Sequence, residues 1–343
     1  MANGSIAGIG EKGAKMTFLA RRLGLYLVTA WAAITINFFI PRAMPGNPAE
    51  IVFSRLSGNG PVTPAMYQAL RVAFGLNTKA SLLSQYGSYW VQLFHGNLGT
   101  SITYYPANVG SVIATALPWT LVLVGVATIL SFIIGTTIGA IAGWRRGSVL
   151  EAILPTTTFL QALPYFALGL VLIEYLGVQF KLFPVSGGYA QGDTIGLNGA
   201  FLGSAVDHAI LPAFTIIVTS MAAWIVGMRN MTVTTLGQDY VMVAQAKGLS
   251  NRRVMITYAA RNAILPSFSS FVVALSLVVT GSVLVEYAFS YPGIGYVLFQ
   301  AVDNEDYPLM QAVFLIITLS VLLANLLADF IYVVLDPRAR QEA

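Results

Sequence analysis

The chain has no cysteine, two histidines and few charges, with 9% of its 343 residues charged. The first absence excludes disulfides, thiolate nucleophiles and thiolate metal sites. His95 and His208 stand far apart, with no second histidine at helical spacing and no HExxH around either, so each reads as an interfacial polar residue rather than a ligand or base. No GxxxxGK[ST] and no GxSxG occurs, so nothing in the chain binds ATP or builds a nucleophile by itself. "GIGEKG" at Gly8 to Gly13 spells GxGxxG, but it sits in a polar tail ahead of an apolar run rather than after a strand in a βαβ unit. No catalytic residue and no metal site are expected.

What is present in quantity is oil. With 56% hydrophobic residues there are too few polar side chains to cover a soluble surface, and the chain belongs in a membrane. A bilayer span needs about 20 mostly apolar residues, and a charge at its centre is costly. Six charge-poor intervals meet that test: Arg22 to Arg42, Leu117 to Trp144, Glu151 to Glu174, His208 to Arg229, Arg261 to Glu286 and Asp306 to Asp329. Pro155, Pro164, Pro212 and Pro266 lie in or at the ends of these runs and predict kinks. The expected fold is an all-α integral membrane protein with six transmembrane helices. Its segments are a tail at 1–20, helix 1 at 21–41, a large outer segment at 42–116, a helical core at 117–335 containing a loop at 232–265, and a tail at 336–343. The first tail is polar and Gly-rich and is expected to be mobile. The first apolar run is too long for a signal peptide and is read as a retained span.

Cationic loops resist translocation, so their distribution orients the spans. With both termini cytoplasmic, the inner segments hold Lys12, Lys15, Arg21 and Arg22, then Arg145 and Arg146, then Arg229 through Arg261, then Arg338 and Arg340; the short outer loops hold only Lys181. The net charge of +4 is therefore a topology signal. A nucleic-acid surface is excluded because the cations are spread over four segments without a basic face bearing aromatic platforms.

The densest basic loop is "DYVMVAQAKGLSNRRVMITYAARNAILP", Asp239 to Pro266. Tyr240, Val243, Ala244 and Lys247 stand at i, i+3, i+4 and i+7 and share a helix face. Gly248 supplies a left-handed stop, and Ser250 is placed to cap a second helix from Asn251 towards Pro266. Small residues at Ala244, Ala246 and Gly248 admit a close backbone, while Arg252 and Arg253 offer forked donors to a carboxylate-bearing partner. Charge alone equally describes a solvated loop obeying the topology rule.

The ordered sequence of that loop resembles the EAA loop of permease subunits of ABC importers, in its dipeptide, oligopeptide and nickel version. "PGNPAE" after the first span, "FGLN" at Phe74 to Asn77, "QYGSYWVQLFHGNLGTS" at Gln85 to Ser101, "LFPVSGG" at Leu182 to Gly188 and "VEYAFSYPGIGYVLFQAVDNEDYPLMQA" at Val285 to Ala312 resemble the same branch, so the likeness covers nearly the whole chain. Met242-Val243-Ala244 replaces the generic Glu-Ala-Ala, and Gly248 to Pro266 exceeds the generic spacing, both usual in the peptide branch. The long outer segment is similar to that of the oligopeptide and dipeptide B-type subunit.

The resemblance implies a type I ABC importer permease fold in a bacterial inner membrane, working with a second homologous permease, two ATPase subunits or domains, an external substrate-binding protein and the surrounding lipids. ATP and Mg would be bound by the ATPases, and this chain would hold no cofactor. It places ATPase coupling on Asp239, Tyr240, Ala244, Lys247, Gly248, Arg252 and Arg253, although Asp239 equally suits a local helix cap. Polar groups within spans are candidates for the pathway: Glu286, Gln161 and Glu174, with Asn37, Asn325 and Asp329. Tyr291, Pro292, Gly293 and Gly295 of "YPGIGY" are candidates for an external gate. Interhelical packing explains the polar residues equally well, and Tyr287, Phe289, Tyr291, Tyr296, Trp90 and Trp119 read either as a solute-stacking surface or as the aromatic belt that collects at membrane interfaces. Asp303, Glu305 and Asp306 cluster as candidate docking groups for the binding protein. Peptides are the expected cargo, with oligosaccharides such as β-glucosides or nickel chelates as alternatives. A secondary transporter would show inverted repeats and an intramembrane enzyme a paired nucleophile and base, and neither pattern is visible.

Overall fold

Glycines and hydroxyl residues decide how closely such apolar runs approach one another. The structure, a computed structural model, describes residues 4–43, 63, 81–145, 147–152, 154–280 and 282–335; "PGNPAE", "FGLN" and the tail at 336–343 lie outside the described residues. Its elements are α1 (Gly4–Ala43), α2 (Leu82–Phe94), α3 (Val109–Trp144), α4 (Val149–Ala152), α5 (Leu154–Ala162), α6 (Tyr165–Leu172), α7 (Gly199–Leu236), α8 (Asp239–Ala246), α9 (Asn251–Arg253), α10 (Arg261–Ser276), α11 (Val283–Ala288), α12 (Ile294–Asp303) and α13 (Tyr307–Leu335). π-helical turns follow α6 at Ile173–Gln179 and α9 at Val254–Ala260, and a 3₁₀ turn at Leu277–Thr280 follows α10.

Among the described residues four helices are long and apolar enough to cross a membrane: Arg21–Ile40 within α1, α3, α7, and Tyr307–Leu326 within α13. A fifth forms if α5 and Tyr165–Gln179 are one broken span, bent by 96°. The corner falls at Leu163-Pro164, where proline lacks an N–H and disfavours helix in the residue before it. Pro212 and Pro266, by contrast, lie inside unbroken helices. The interval Arg261 to Glu286 is not one helix: α10 passes into the 3₁₀ turn and α11 starts afresh at Val283. Ser276, Gly281 and Ser282, all weak helix formers, stand where it ends. The N-terminal tail, expected to be mobile, is helical from Gly4 in continuity with the first apolar run. It contains no proline, and extending a helix costs far less than nucleating one. The expected outer segment is shortened, since α3 begins at Val109 rather than Leu117.

The chain divides into two compact units, Met1–Val112 with Gln300–Ala343, and Ile113–Phe299. In the first, α1 packs along α13: Asn37 Nδ2 donates to the Gln311 carbonyl at 2.6 Å, and Gln311 Nε2 donates to the Phe38 carbonyl at 3.4 Å. Thr35 pairs with the Tyr86 hydroxyl at 2.7 Å, and the Arg42 guanidinium lies 3.6 Å from the centre of the Phe38 ring. Asp306, at the start of α13, is fully buried; it accepts from Ser101 Oγ, from the Thr103 amide at 2.8 Å and from the Leu309 amide at 3.1 Å. One carboxylate thus caps a helix and fastens the loop that precedes α3.

In the second unit, α3 and α7 meet along a glycine stripe. A Cβ on Gly135 would stand 2.6 Å from Trp224 Cβ, one on Gly139 2.4 Å from the Ile225 carbonyl oxygen, and one on Gly143 2.8 Å from Thr232 Cβ. This four-residue spacing lets two backbones touch, which apolar side chains of ordinary size prevent. Beside it, Phe132 stacks on Phe271 with ring centres 4.1 Å apart. Hydroxyls in these helices turn back onto their own backbone: Thr136 to the Phe132 carbonyl, Thr215 to Leu211 and Thr232 to Met228. A core of Leu123, Val124, Ala127, Leu211, Ile216, Val278, Val285, Phe289 and Tyr291 fills the other end of the unit.

Gly139→Leu is expected to destabilise the purified chain by at least about 2 kcal/mol, because the clash is with backbone and neither helix can yield. Gly227→Ala, inside α7 with open space around it, is expected to raise the melting temperature slightly, because alanine is the better helix former and its Cβ meets nothing. Thermal unfolding in detergent separates the two.

Candidate functional site

The basic loop forms a small helical knob. Gly237 ends α7, Asp239 stands in the first turn of α8 where the helix dipole favours an anion, and Lys247 closes it. Gly248 has φ +71°, the left-handed stop, and its amide donates to the Gln245 carbonyl at 2.9 Å. Ser250 occupies the cap position of α9 without a side-chain cap bond among the described residues; its carbonyl accepts the Val254 amide at 3.0 Å.

Val241, Ala244 and Val254 are buried together, edged by Trp144, Leu236, Leu249 and Tyr258. This corrects the reading of Ala244 as part of the contact face. At 100° per residue the face drawn through Tyr240, Val243, Ala244 and Lys247 straddles an edge of the helix. Ala244 falls in with Val241, three residues before it, and anchors the knob from within. The opposite face is open, with Tyr240, Met242 and Val243 41%, 51% and 52% exposed and Asp239, Lys247, Gly248, Arg252 and Arg253 exposed around them. Exposed apolar side chains ringed by charge have the composition of a protein-contact patch. From Asn251 to Thr280 the backbone stays helical, as α9, a π turn, α10 and a 3₁₀ turn in succession.

The candidates near "YPGIGY" gather elsewhere in the second unit. Glu286 is fully buried, and its Oε2 accepts the Gly295 amide at 2.7 Å. Thr120 Oγ1 on α3 accepts the Ile294 amide at 2.7 Å. Tyr291 is buried with the Trp119 ring edge-on at 5.6 Å, and Trp119 also stacks on Tyr189 at 5.9 Å. Pro292 fits against Gly188, whose Cβ would lie 2.7 Å from Pro292 Cγ. Gln161 and Glu174 do not join this group: both are exposed, and Glu174 accepts from Gln179 at 3.1 Å.

The acidic trio divides in the same way. Asp303 is exposed and Glu305 half-buried with φ +50°, whereas Asp306 has no surface to offer a docking partner and serves as the cap described above. His95 and His208 each place Nδ1 2.7 Å from a backbone carbonyl oxygen one turn earlier, Val91 and Ser204. Sequence reasoning overlooked Thr120 and the glycine stripe. The stripe was legible as GxxxGxxxG in an apolar run; a lone threonine carries no such signal.

Residues 135–341, from the glycine stripe through the knob to the last helix, match the family described as "Binding-protein-dependent transport system inner membrane component". The chain belongs to this family. This permease component is 34% identical to the di/tripeptide transport system permease protein DppB of Pseudomonas aeruginosa, over 95% of the chain and 99% of that relative. It is 31% identical to the dipeptide transport system permease protein DppB of Lactococcus lactis, over 94% and 99% respectively. Against the oligopeptide transport system permease protein AppB of Bacillus subtilis the identity is 32%, over 94% and 98%. The permease is thus a multi-pass membrane protein, and the knob lies inside the matched region.

Ala244→Leu, which forces three carbons between Val241 and Val254, is expected to speed amide exchange across 239–254 at least about tenfold. Val243→Ser, on the open face, is expected to leave stability within about 0.5 kcal/mol of the unaltered permease.

Proposed function

We propose that this permease is one of two membrane subunits of an ATP-driven importer that moves peptides delivered by an external binding protein across a bacterial inner membrane. The observation that carries the reading is the knob at 239–253, apolar and basic outside, pinned by Val241, Ala244 and Val254 inside, and continuous with a helical rod. Coupling needs contacts that differ between two states and a body that does not absorb the motion, and a clamped helix supplies both. The relatives named as dipeptide and oligopeptide permeases support peptides as the cargo over oligosaccharides or nickel chelates.

In this reading the chain crosses six times with both termini in the cytoplasm, the run Arg261 to Thr280 serving as the fifth crossing. Tyr240, Met242, Val243, Lys247, Gly248, Arg252 and Arg253 seat in a cleft of a partner ATPase, which binds ATP and Mg; Asp239 supports the helix start. ATPase closure moves the knob, and the rod tilts the spans against those of the second permease. The buried group around Tyr291 and Pro292 forms part of the outer gate, and Asp303 with Glu305 faces the binding protein. Gln161 and Glu174, exposed on the lone chain, suit contact with the second permease or with the pathway it completes.

A tagged chain expressed with its operon partners is expected to copurify with a second permease and with ATPases. Gly248→Asp, which adds charge and left-handed strain at the exposed tip, is expected to lower ATP-dependent peptide uptake at least about tenfold while leaving chain yield unchanged. Unchanged uptake, or solute movement by the lone chain down an ion gradient, overturns the proposal.

A further inference from the structure

A carboxylate without exposed surface among apolar residues requires an account, and Glu286 has none in the importer reading beyond its place near the gate. We propose that Glu286 and Thr120 form a latch that fixes the Tyr291–Tyr296 turn and the start of α12, and that Glu286 is a positioning residue rather than a group that meets solute. Its consequence for transport rests on the importer reading; its geometry does not.

Helix α12 opens with amides that no residue of its own helix can satisfy. Two successive ones are satisfied from two other helices: the Ile294 amide donates to Thr120 Oγ1 on α3, and the Gly295 amide to Glu286 Oε2 on α11, each at 2.7 Å. Both side chains are fully buried. Glu286 Oε2 and Thr120 Oγ1 lie 2.3 and 2.5 Å from the point where a Cβ on residue 293 would stand, so the two acceptors sit side by side beneath the turn.

The glycines of the motif exist for this approach. A Cβ at residue 293 would fall 2.3 Å from Glu286 Oε2 and 2.5 Å from Thr120 Oγ1, and one at residue 295 would fall 2.5 Å from Val283 Cα. Only bare backbone lets the turn reach both acceptors. The far side of the turn is closed as well: the Tyr291 amide donates to the Glu286 carbonyl at 2.8 Å, the Gly187 amide to the Phe289 carbonyl at 2.9 Å, and Pro292 fills the space left by Gly188.

The carboxylate is engaged through Oε2 by a backbone amide, a contact that asks for shape and acceptor capacity rather than for charge. An amide of the same shape therefore replaces it, which a solute-charge or proton-carrying role would not permit. In a latch held at two points, loss of either acceptor leaves a buried N–H unpaired and frees the turn.

The test uses the full chain in lipid nanodiscs and amide exchange of peptides covering 292–299. Glu286→Ala and the isosteric Thr120→Val are expected to speed exchange at least about tenfold, while Glu286→Gln, which keeps a carbonyl acceptor for Gly295, stays within about twofold of the unaltered chain. In the assembled importer the first two variants are expected to move fewer peptides per ATP hydrolysed, and Glu286→Gln to retain the unaltered ratio. Exchange that is equal in all four chains, or Glu286→Gln as fast as Glu286→Ala, overturns the latch. If the unaltered chain recruits no ATPase and moves no peptide, the importer reading falls while the exchange result still decides the latch.

Discussion

A polar group inside an apolar environment has no water to turn to, and the arrangements described here follow from finding such groups partners within the chain, although Asn37 Oδ1 and Glu286 Oε1 stay buried without one. Threonines in α3 and α7 return their hydroxyl protons to carbonyls one turn earlier, so they enter long apolar helices without a neighbour's help. The side chains that lack that local solution, Asn37, Glu286 and Asp306, reach across to other elements instead. Those reaches join segments that are distant in sequence. The costly residues are therefore the ones that specify how the helices are arranged.

The same economy of bulk explains the glycines. On α3, Gly135, Gly139 and Gly143 remove side chains where α7 passes, and packing rather than hydrophobic transfer holds two helices that are both as oily as lipid. At the "PGIG" turn, Gly293 and Gly295 remove side chains where backbone must reach buried acceptors. Gly248 acts by a different property, its access to positive φ, and sits in open space. Three uses of one residue type thus correspond to three mechanical needs: close contact, donor access and a sharp stop.

The knob combines an inner apolar cluster with an open outer face. Its inner face is a small apolar core, its outer face exposes apolar and basic side chains, and its exit continues as helical backbone to Thr280. Burying Val241, Ala244 and Val254 together fixes the two short helices against each other.

Composition and charge spacing by themselves determined that this is a membrane protein of long helices, where the apolar centres of α1, α3, α7 and α13 run though not their ends, and that a basic loop carries a helix stop at Gly248, because length, apolarity and backbone preference are local properties. The tertiary structure alone decided that Ala244 faces inward, that Asp306 is a buried cap rather than a docking group, that Pro164 breaks a span while Pro212 and Pro266 do not, and that Thr120 matters at all. The physical reason is that a side chain's partner is set by what packs opposite it. In a chain whose helices are apolar on nearly every side, periodicity does not say which side that is.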